Sequence, residues 1–225
     1  MNQYNYRGDY VVHNDEFPIS PYTKYFLDSF PDVEEGIVLD FGCGSGILSI
    51  EAYFYGAKIV QGVDTNKNAI LISNQNIERL SYRDQKINEK VSFDNVIDTS
   101  LKFTHIISNP ASFPNITEHS YSCSGELGLN MIMRLMHFAS KLLTPYGKLY
   151  FTCSSLSPYS LIFKELNKRK FDFEIKTRRI AVRDFYDPIL NWSSNMKTKY
   201  NEIYWITKDT IIYEDVFFIS CTKYR

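Results

Sequence analysis

From Gly36 onward, short apolar runs rich in β-branched residues alternate with longer segments of helical period. That alternation predicts a doubly wound α/β fold with a mostly parallel sheet, because doubly buried strands read as continuous apolar runs and parallel neighbours need crossovers. The predicted strands are Ile37 to Asp40, Lys58 to Asp64, Lys90 to Phe93, Thr104 to Ser108, Lys148 to Cys153 and Phe171 to Ile175. Helices are predicted at Ile47 to Tyr55, Lys67 to Leu80, Leu127 to Leu143 and Pro158 to Lys170. Leu129, Ile132, Met133, Met136 and His137 form the stripe of the third of these, and Pro145-Tyr146-Gly147 ends it.

After residue 175 the strand-like runs Ile203 to Thr207, Thr210 to Tyr213 and Val216 to Thr222 follow one another closely. Such spacing predicts an antiparallel C-terminal edge, since parallel neighbours need a long crossover. The polar stretch from Arg183 to Lys199, which holds Pro188 and Trp192, predicts a long loop or lid. With no internal repeat or linker, residues 1–225 read as one domain, in which 1–35 form an N-terminal extension over the functional site.

Composition narrows the function classes. The 225 residues are 44% hydrophobic and 23% charged with net charge −1, so the overall balance gives no sign of a nucleic-acid partner. Four cysteines, Cys43, Cys123, Cys153 and Cys221, stand far apart without metal-ligand spacing, which predicts reduced thiols and no metal. No apolar stretch is long enough to span a membrane and the N-terminus lacks the form of a leader, so the expected location is the cytoplasm.

The clearest chemical signal is Asp40-Phe41-Gly42-Cys43-Gly44-Ser45-Gly46, an apolar strand entering a glycine-rich turn and then a helix. Such a turn lets backbone approach a ligand closely while the helix offers unpaired N–H groups. The next strand ends in Asp64, 24 positions after Asp40; read alone it could cap the helix that begins near Lys67, as could Thr65 or Asn66. Asp94-Asn95 closes the third strand, and Asn109-Pro110 closes the fourth ahead of Ala111-Ser112-Phe113. Read alone, either pair could be a simple strand-ending turn.

The D-x-G-x-G-x-G spacing resembles the first motif of class I S-adenosylmethionine-dependent methyltransferases, rather than the dinucleotide fingerprint. Asn109-Pro110 with Phe113 resembles the Asn-Pro-Pro-Tyr/Phe motif of the glutamine and amino methyltransferases; the second proline is absent and the ring stands one place further along. Ser124 to Leu129 and Leu142 to Tyr150 also resemble that group, and the likeness covers roughly residues 17 to 155. It implies a Rossmann-like, seven-stranded sheet and S-adenosylmethionine as cofactor. By the same resemblance, Gly42, Gly44 and Gly46 wrap the methionine and ribose parts, Asp40 lies near the ammonium, Asp64 takes the ribose hydroxyls with Thr65 beside it, and Asp94 and Asn95 flank the adenine. Asn109 and Pro110 then orient the acceptor nitrogen at the cofactor, with Phe113 as the ring for a planar substrate. Apart from the resemblance, Trp192, Tyr186 and Phe185 in the predicted lid could close over such a substrate or anchor the loop on the body of the domain.

The implied reaction is methyl transfer to a nitrogen of a small molecule or short polar substrate. A protein glutamine or a nucleic-acid base is the alternative acceptor, and a non-catalytic cofactor-binding subunit is a third reading. Lys164 to Arg183 carries eight basic and three acidic residues, which could meet phosphates or form the wet face of a helix and edge strand. His105, His119 and His137 stand in no nucleophile-and-acid arrangement.

Overall fold

The computed structural model describes residues 2–13, 17–81, 84–112, 124–181, 187–209 and 211–224. The chain opens on an antiparallel hairpin, β1 (Asn2–Tyr6) and β2 (Asp9–His13), followed by α1 (Pro21–Asp28). Next come β3 (Ile37–Phe41), α2 (Ile47–Phe54), β4 (Ile59–Val63), α3 (Lys67–Ser81), the single turn α4 (Ile87–Lys90) and β5 (Val91–Asp94). The remainder runs β6 (Phe103–Ser108), α5 (Asn130–Leu142), β7 (Leu143–Ser154), α6 (Ser160–Lys168), β8 (Phe171–Ala181), α7 (Asp187–Met196), β9 (Ile206–Lys208) and β10 (Ile211–Lys223).

The main sheet has the order β5-β4-β3-β6-β7-β10-β8, with β9 added on β10. The first five strands in that order are parallel, and β10 runs antiparallel to β7, β8 and β9. The chain steps outward from β3 to β5, then returns to the other side of β3 with β6 and continues to β7. This reversal makes the β3/β6 boundary the topological switch point, where the carboxyl ends of the strands leave a crevice for a ligand.

Each face of the sheet carries its own apolar cluster. One joins Phe26 of α1, Ile50 of α2 and Ile77 of α3 to Val38, Val60, Val216 and Phe218. The other joins Ile132, Leu135, Met136 and Ala139 of α5 and Ile162 and Leu166 of α6 to Leu39, Ile106, Leu149 and Ile219. Side chains such as Phe26, Ile50, Leu135 and Leu149 are fully buried, and burial of this kind stabilises the fold by roughly 1.5–3 kcal/mol each.

Several expectations need correction. The predicted loop at 183–199 holds α7, which is tied to the body by the Ser193 hydroxyl donating to the Leu156 carbonyl at 2.9 Å. Helix α5 starts at Asn130 rather than Leu127, because backbone bonds from Gly128 to Gly125 and from Asn130 to Ser124 keep the preceding residues in a turn. Its buried stripe is Ile132, Leu135, Met136, Ala139 and Leu142, while His137 is exposed. The last two predicted strands are one, β10, because Glu214 and Asp215 lie in it as buried, partnered carboxylates that interrupt the apolar pattern without breaking the ladder. Strand β8 continues to Ala181, paired with β10 from Phe171 opposite Lys223 to Ala181 opposite Tyr213.

The N-terminal segment contains structure that the chain pattern did not announce. Tyr6 donates to the Glu51 carboxylate of α2, and Arg7 reaches the same group at 3.1 Å. Asn76 of α3, fully buried, accepts from the Val12 amide at 2.7 Å and donates to the Val12 carbonyl at 2.9 Å. The hairpin is thereby fixed to the two helices that follow β3 and β4.

Candidate active site

The glycine turn leaves β3 at the switch point. Gly42, Gly44 and Gly46 have φ of 78°, 53° and 80°, values that L side chains rarely adopt. At Gly46 the reason is also steric, since a Cβ there would stand 2.7 Å from the Phe93 ring. At Gly42 a Cβ would meet nothing within 4 Å, so the turn faces open space at that point.

The turn is braced from three sides. Ser73 of α3 donates to the Gly44 carbonyl at 2.8 Å, and Asn76 donates to the Ser45 carbonyl at 2.8 Å. Asp64 accepts the Gly44 amide at 3.1 Å through Oδ2 and the Asn66 amide at 2.9 Å through Oδ1. Asp64 thus lies beside the glycine turn and at the start of α3. Thr65 is exposed in the same β4–α3 turn.

Asp94 and Asn95 close onto Asp64. The Asp64 amide donates to the Asp94 carbonyl at 3.2 Å, and the Asn95 side chain donates to the Asp64 carbonyl at 2.8 Å. Asp94 Oδ1 accepts the Asn95 amide at 2.6 Å, as in an ordinary strand-ending turn, and both residues are exposed.

Asp40 lies beneath the turn with no solvent exposure. Its Oδ2 accepts the Ser49 hydroxyl at 2.7 Å, while Oδ1 is buried without a hydrogen-bond partner among the described residues. Burial dominates its ionisation and raises the pKa to about 7, with the Asp64 charge acting in the same direction and the bonds from Ser49 opposing it. An orphaned carboxylate oxygen below an open glycine turn suits a ligand with a positive charge, and S-adenosylmethionine fits that description better than a dinucleotide does.

Strand β6 delivers the second half of the site. The Ser108 hydroxyl donates to the Phe41 carbonyl at 2.6 Å, which joins the last residue of β3 to the last of β6. Asn109 therefore follows directly beside the glycine turn. Its Nδ2 donates to the Thr23 hydroxyl of α1 at 3.0 Å, and its Oδ1 accepts the Thr152 hydroxyl of β7 at 2.6 Å. Pro110 is buried, and the Ser112 carbonyl accepts the Ser157 hydroxyl at 3.0 Å. Phe113, Phe185 and Tyr186 lie outside the described residues.

Beyond Asn109 the chain meets the segment after β7 through Ser112 and Ser157, and that segment in turn meets α7 through Leu156 and Ser193. Trp192 is half-buried on α7, next to the Ser193 that anchors this helix to Leu156. A cavity of about 250 Å³ lined by Lys148, Tyr150, Asp172, Glu174, Ser220 and Thr222 lies elsewhere, toward the amino-terminal end of β7, and is not this site. Residues that sequence reasoning missed are Thr152, Ser73 and Asn76, which sit mid-element with no local signature. Thr23 ends the proline- and threonine-containing stretch from Phe17 that resembles the family's loop ahead of the first strand, and it follows Ser20-Pro21, an N-cap and first-turn signal.

Residues 19–177 match the model of the methyltransferase small domain family. The chain belongs to that family. Ribosomal protein L11 methyltransferase of Pasteurella multocida is 47% identical over 60 residues, which are 27% of this chain and 20% of that protein. The uncharacterized protein YbxB of Bacillus subtilis is 32% identical over 117 residues, covering 47% of this chain and 57% of the relative. The chain thus spans only about a fifth of the matched L11 methyltransferase.

Solved structures agree on the fold. Precorrin-6y C5,15-methyltransferase of Geobacter metallireducens superposes with a TM-score of 0.60 at 11% identity, covering 94% of this chain and 93% of its own. The ribosomal protein L11 methylase of Lactobacillus delbrueckii gives 0.50 at 16%, covering 87% and 76%. The chain thus belongs to a methyltransferase family and carries the Rossmann-like fold of these solved structures. No helix among the described residues is long and apolar enough to cross a membrane.

Proposed function

We propose that this methyltransferase transfers a methyl group to a nitrogen carried by a short polar substrate, either a small molecule or a segment of a polypeptide. The observation that carries the reading is the placement of Asn109 at the switch point, beside the glycine turn and with its carboxamide held by Thr23 and Thr152. Bound S-adenosylmethionine supplies an electrophilic methyl on its sulfonium.

The chain's own residues divide the remaining work. Gly42, Gly44 and Gly46 admit the cofactor to the backbone, Asp40 receives its positive end, and Asp64 accepts from the ribose with Thr65 beside it. Asp94 and Asn95 border the base. Asn109 has one Nδ2–H and one Oδ1 lone pair beyond its two threonine bonds, so it can accept a hydrogen bond from an acceptor N–H. Such an acceptor must be held in line with the methyl while its lone pair is freed from delocalisation, and Pro110 fixes the chain direction that sets this line. Trp192, and Phe113 by motif resemblance, are the rings assigned to the substrate.

A nucleic-acid acceptor is disfavoured by the pairing of the basic run. Lys168 and Arg169 meet Glu165, Arg178 meets Asp28, and Arg179 meets Asp215, so four of its eight cations already have acid partners. The L11 relatives are named for a protein substrate, which supports a polypeptide as the first acceptor to try.

The test is incubation of the purified chain with methyl-labelled cofactor and, separately, ribosomal proteins, total RNA and a small-metabolite extract. Label in proteins or metabolites, located on nitrogen by mass spectrometry, is the expected result. Label confined to RNA, or on oxygen or carbon, would contradict the proposal.

A further inference from the structure

A further buried carboxylate, Glu214, lies near the carboxyl edge of the sheet and is outside the cofactor-binding roles assigned above. Glu214 lies in β10 and is 2% exposed. Its Oε2 accepts the Tyr22 hydroxyl of α1 at 2.5 Å and the hydroxyl of Ser154 on β7. Ser154 and Thr152 are two residues apart on β7 and share one face of the sheet. Directly across on β10 stand Val216, opposite Ser154, and Phe218, opposite Thr152. The same two elements, α1 and β7, supply the two bonds to Asn109 through Thr23 and Thr152.

Neighbouring residues on a helix diverge by about 100° around its axis. Tyr22 and Thr23 therefore leave the first turn of α1 in different directions, one toward Glu214 and one toward Asn109. Apolar contacts such as Phe26 on Phe218 at 5.0 Å between ring centroids hold the helix against the sheet, and these two bonds tie its first turn to Glu214 and Asn109. A carboxylate accepting a phenol hydroxyl makes a charge-assisted bond, the stronger kind.

We infer that Glu214 is a positioning residue: through Tyr22 it fixes the first turn of α1 and hence the orientation of the Asn109 carboxamide. This rests on Asn109 as the acceptor-orienting group, and it adds a residue from the antiparallel strand β10 to the machinery.

The charge state of Glu214 gives the inference a readout. Burial raises its pKa to about 7, against the opposing bonds from Ser154 and Tyr22 and with the Asp215 charge adding to the rise. The charged groups facing it from adjoining elements are already committed. Arg179 of β8 and Tyr204 are bound to Asp215, and Arg178 of β8 reaches Asp28 and lies over the Tyr25 ring. Protonation of Glu214 weakens its hold on Tyr22, so the Asn109 amide is expected to change its environment with it.

The experiment is proton–nitrogen NMR of the full chain labelled at asparagine, with the Asn109 side-chain pair identified by its loss in Asn109→Asp. In the native protein that pair should move with a midpoint at about 7. In Glu214→Gln the movement should vanish, and in Tyr22→Phe it should shrink. A native Asn109 pair that stays still across this range overturns the inference without any variant. So does an undiminished movement in Glu214→Gln or in Tyr22→Phe. These resonances need no acceptor, so the coupling is judged apart from the role of Asn109 in transfer, which the rate of Asn109→Ala decides.

Discussion

Asp40→Asn separates the cost of the cofactor acid from its use. The native carboxyl has a pKa of about 7 against 3.8 for an unperturbed one, so the folded state holds its proton more tightly than the unfolded state does. Stability must then fall as pH rises through the interval between these values, because the unfolded chain releases the proton first. At 1.36 kcal/mol per unit, the part of that interval crossed between about pH 5 and about pH 8 corresponds to roughly 3 kcal/mol. Asparagine is neutral throughout and keeps an oxygen for the Ser49 hydroxyl, so the variant lacks this share of the decline. Any cost of its unpaired amide is independent of pH and cancels when the two conditions are compared. Denaturant titrations of both proteins at the two pH values measure the difference directly. The variant should gain about 3 kcal/mol on the native protein between them, while its affinity for S-adenosylhomocysteine falls. An equal pH dependence in the two proteins would refute the placement of Asp40 as an ionisable group stranded beneath the turn.

Three further outcomes follow from the same geometry. Asp64→Ala should weaken cofactor binding by about 1.5–3 kcal/mol, the range for hydrogen bonds to a charged group, as read by calorimetric titration. Excess chelator should leave the transfer rate unchanged, since a sulfonium methyl needs no Lewis acid; recovery of a lost rate by zinc or magnesium would count against this. Raising salt should have little effect on acceptor affinity if the acceptor is not a nucleic acid, whereas phosphate contacts would give a steep decline measurable by binding titrations.

The sequence made the parallel half of the fold legible because β3, β4 and β6 are apolar runs that end in chemically marked turns. Asp40, the three glycines, Asp64 and Asn109-Pro110 could be placed at the carboxyl edge from that pattern alone. What escaped was whatever depended on distant partners. Glu214 and Asp215 divide an apolar run and read as a turn, yet Tyr22, Ser154, Arg179 and Tyr204 satisfy them inside one strand. Helix α7 was hidden by its polar composition, and one of its ties to the body is a serine hydroxyl on a backbone carbonyl, which leaves no mark in the local pattern. The N-terminal hairpin owes its position to Asn76 and Glu51, which nothing in residues 1–35 reveals.

The central claim, that Asn109 orients an acceptor nitrogen beside the cofactor, is tested most directly by single-turnover transfer in Asn109→Ala alongside a cofactor titration of the same preparation. The account predicts unchanged cofactor affinity and a transfer rate lower by on the order of a hundredfold, the scale of removing one preorganised electrostatic partner. A transfer rate near that of the native protein would reduce Asn109-Pro110 to a turn at the end of β6 and contradict the reading.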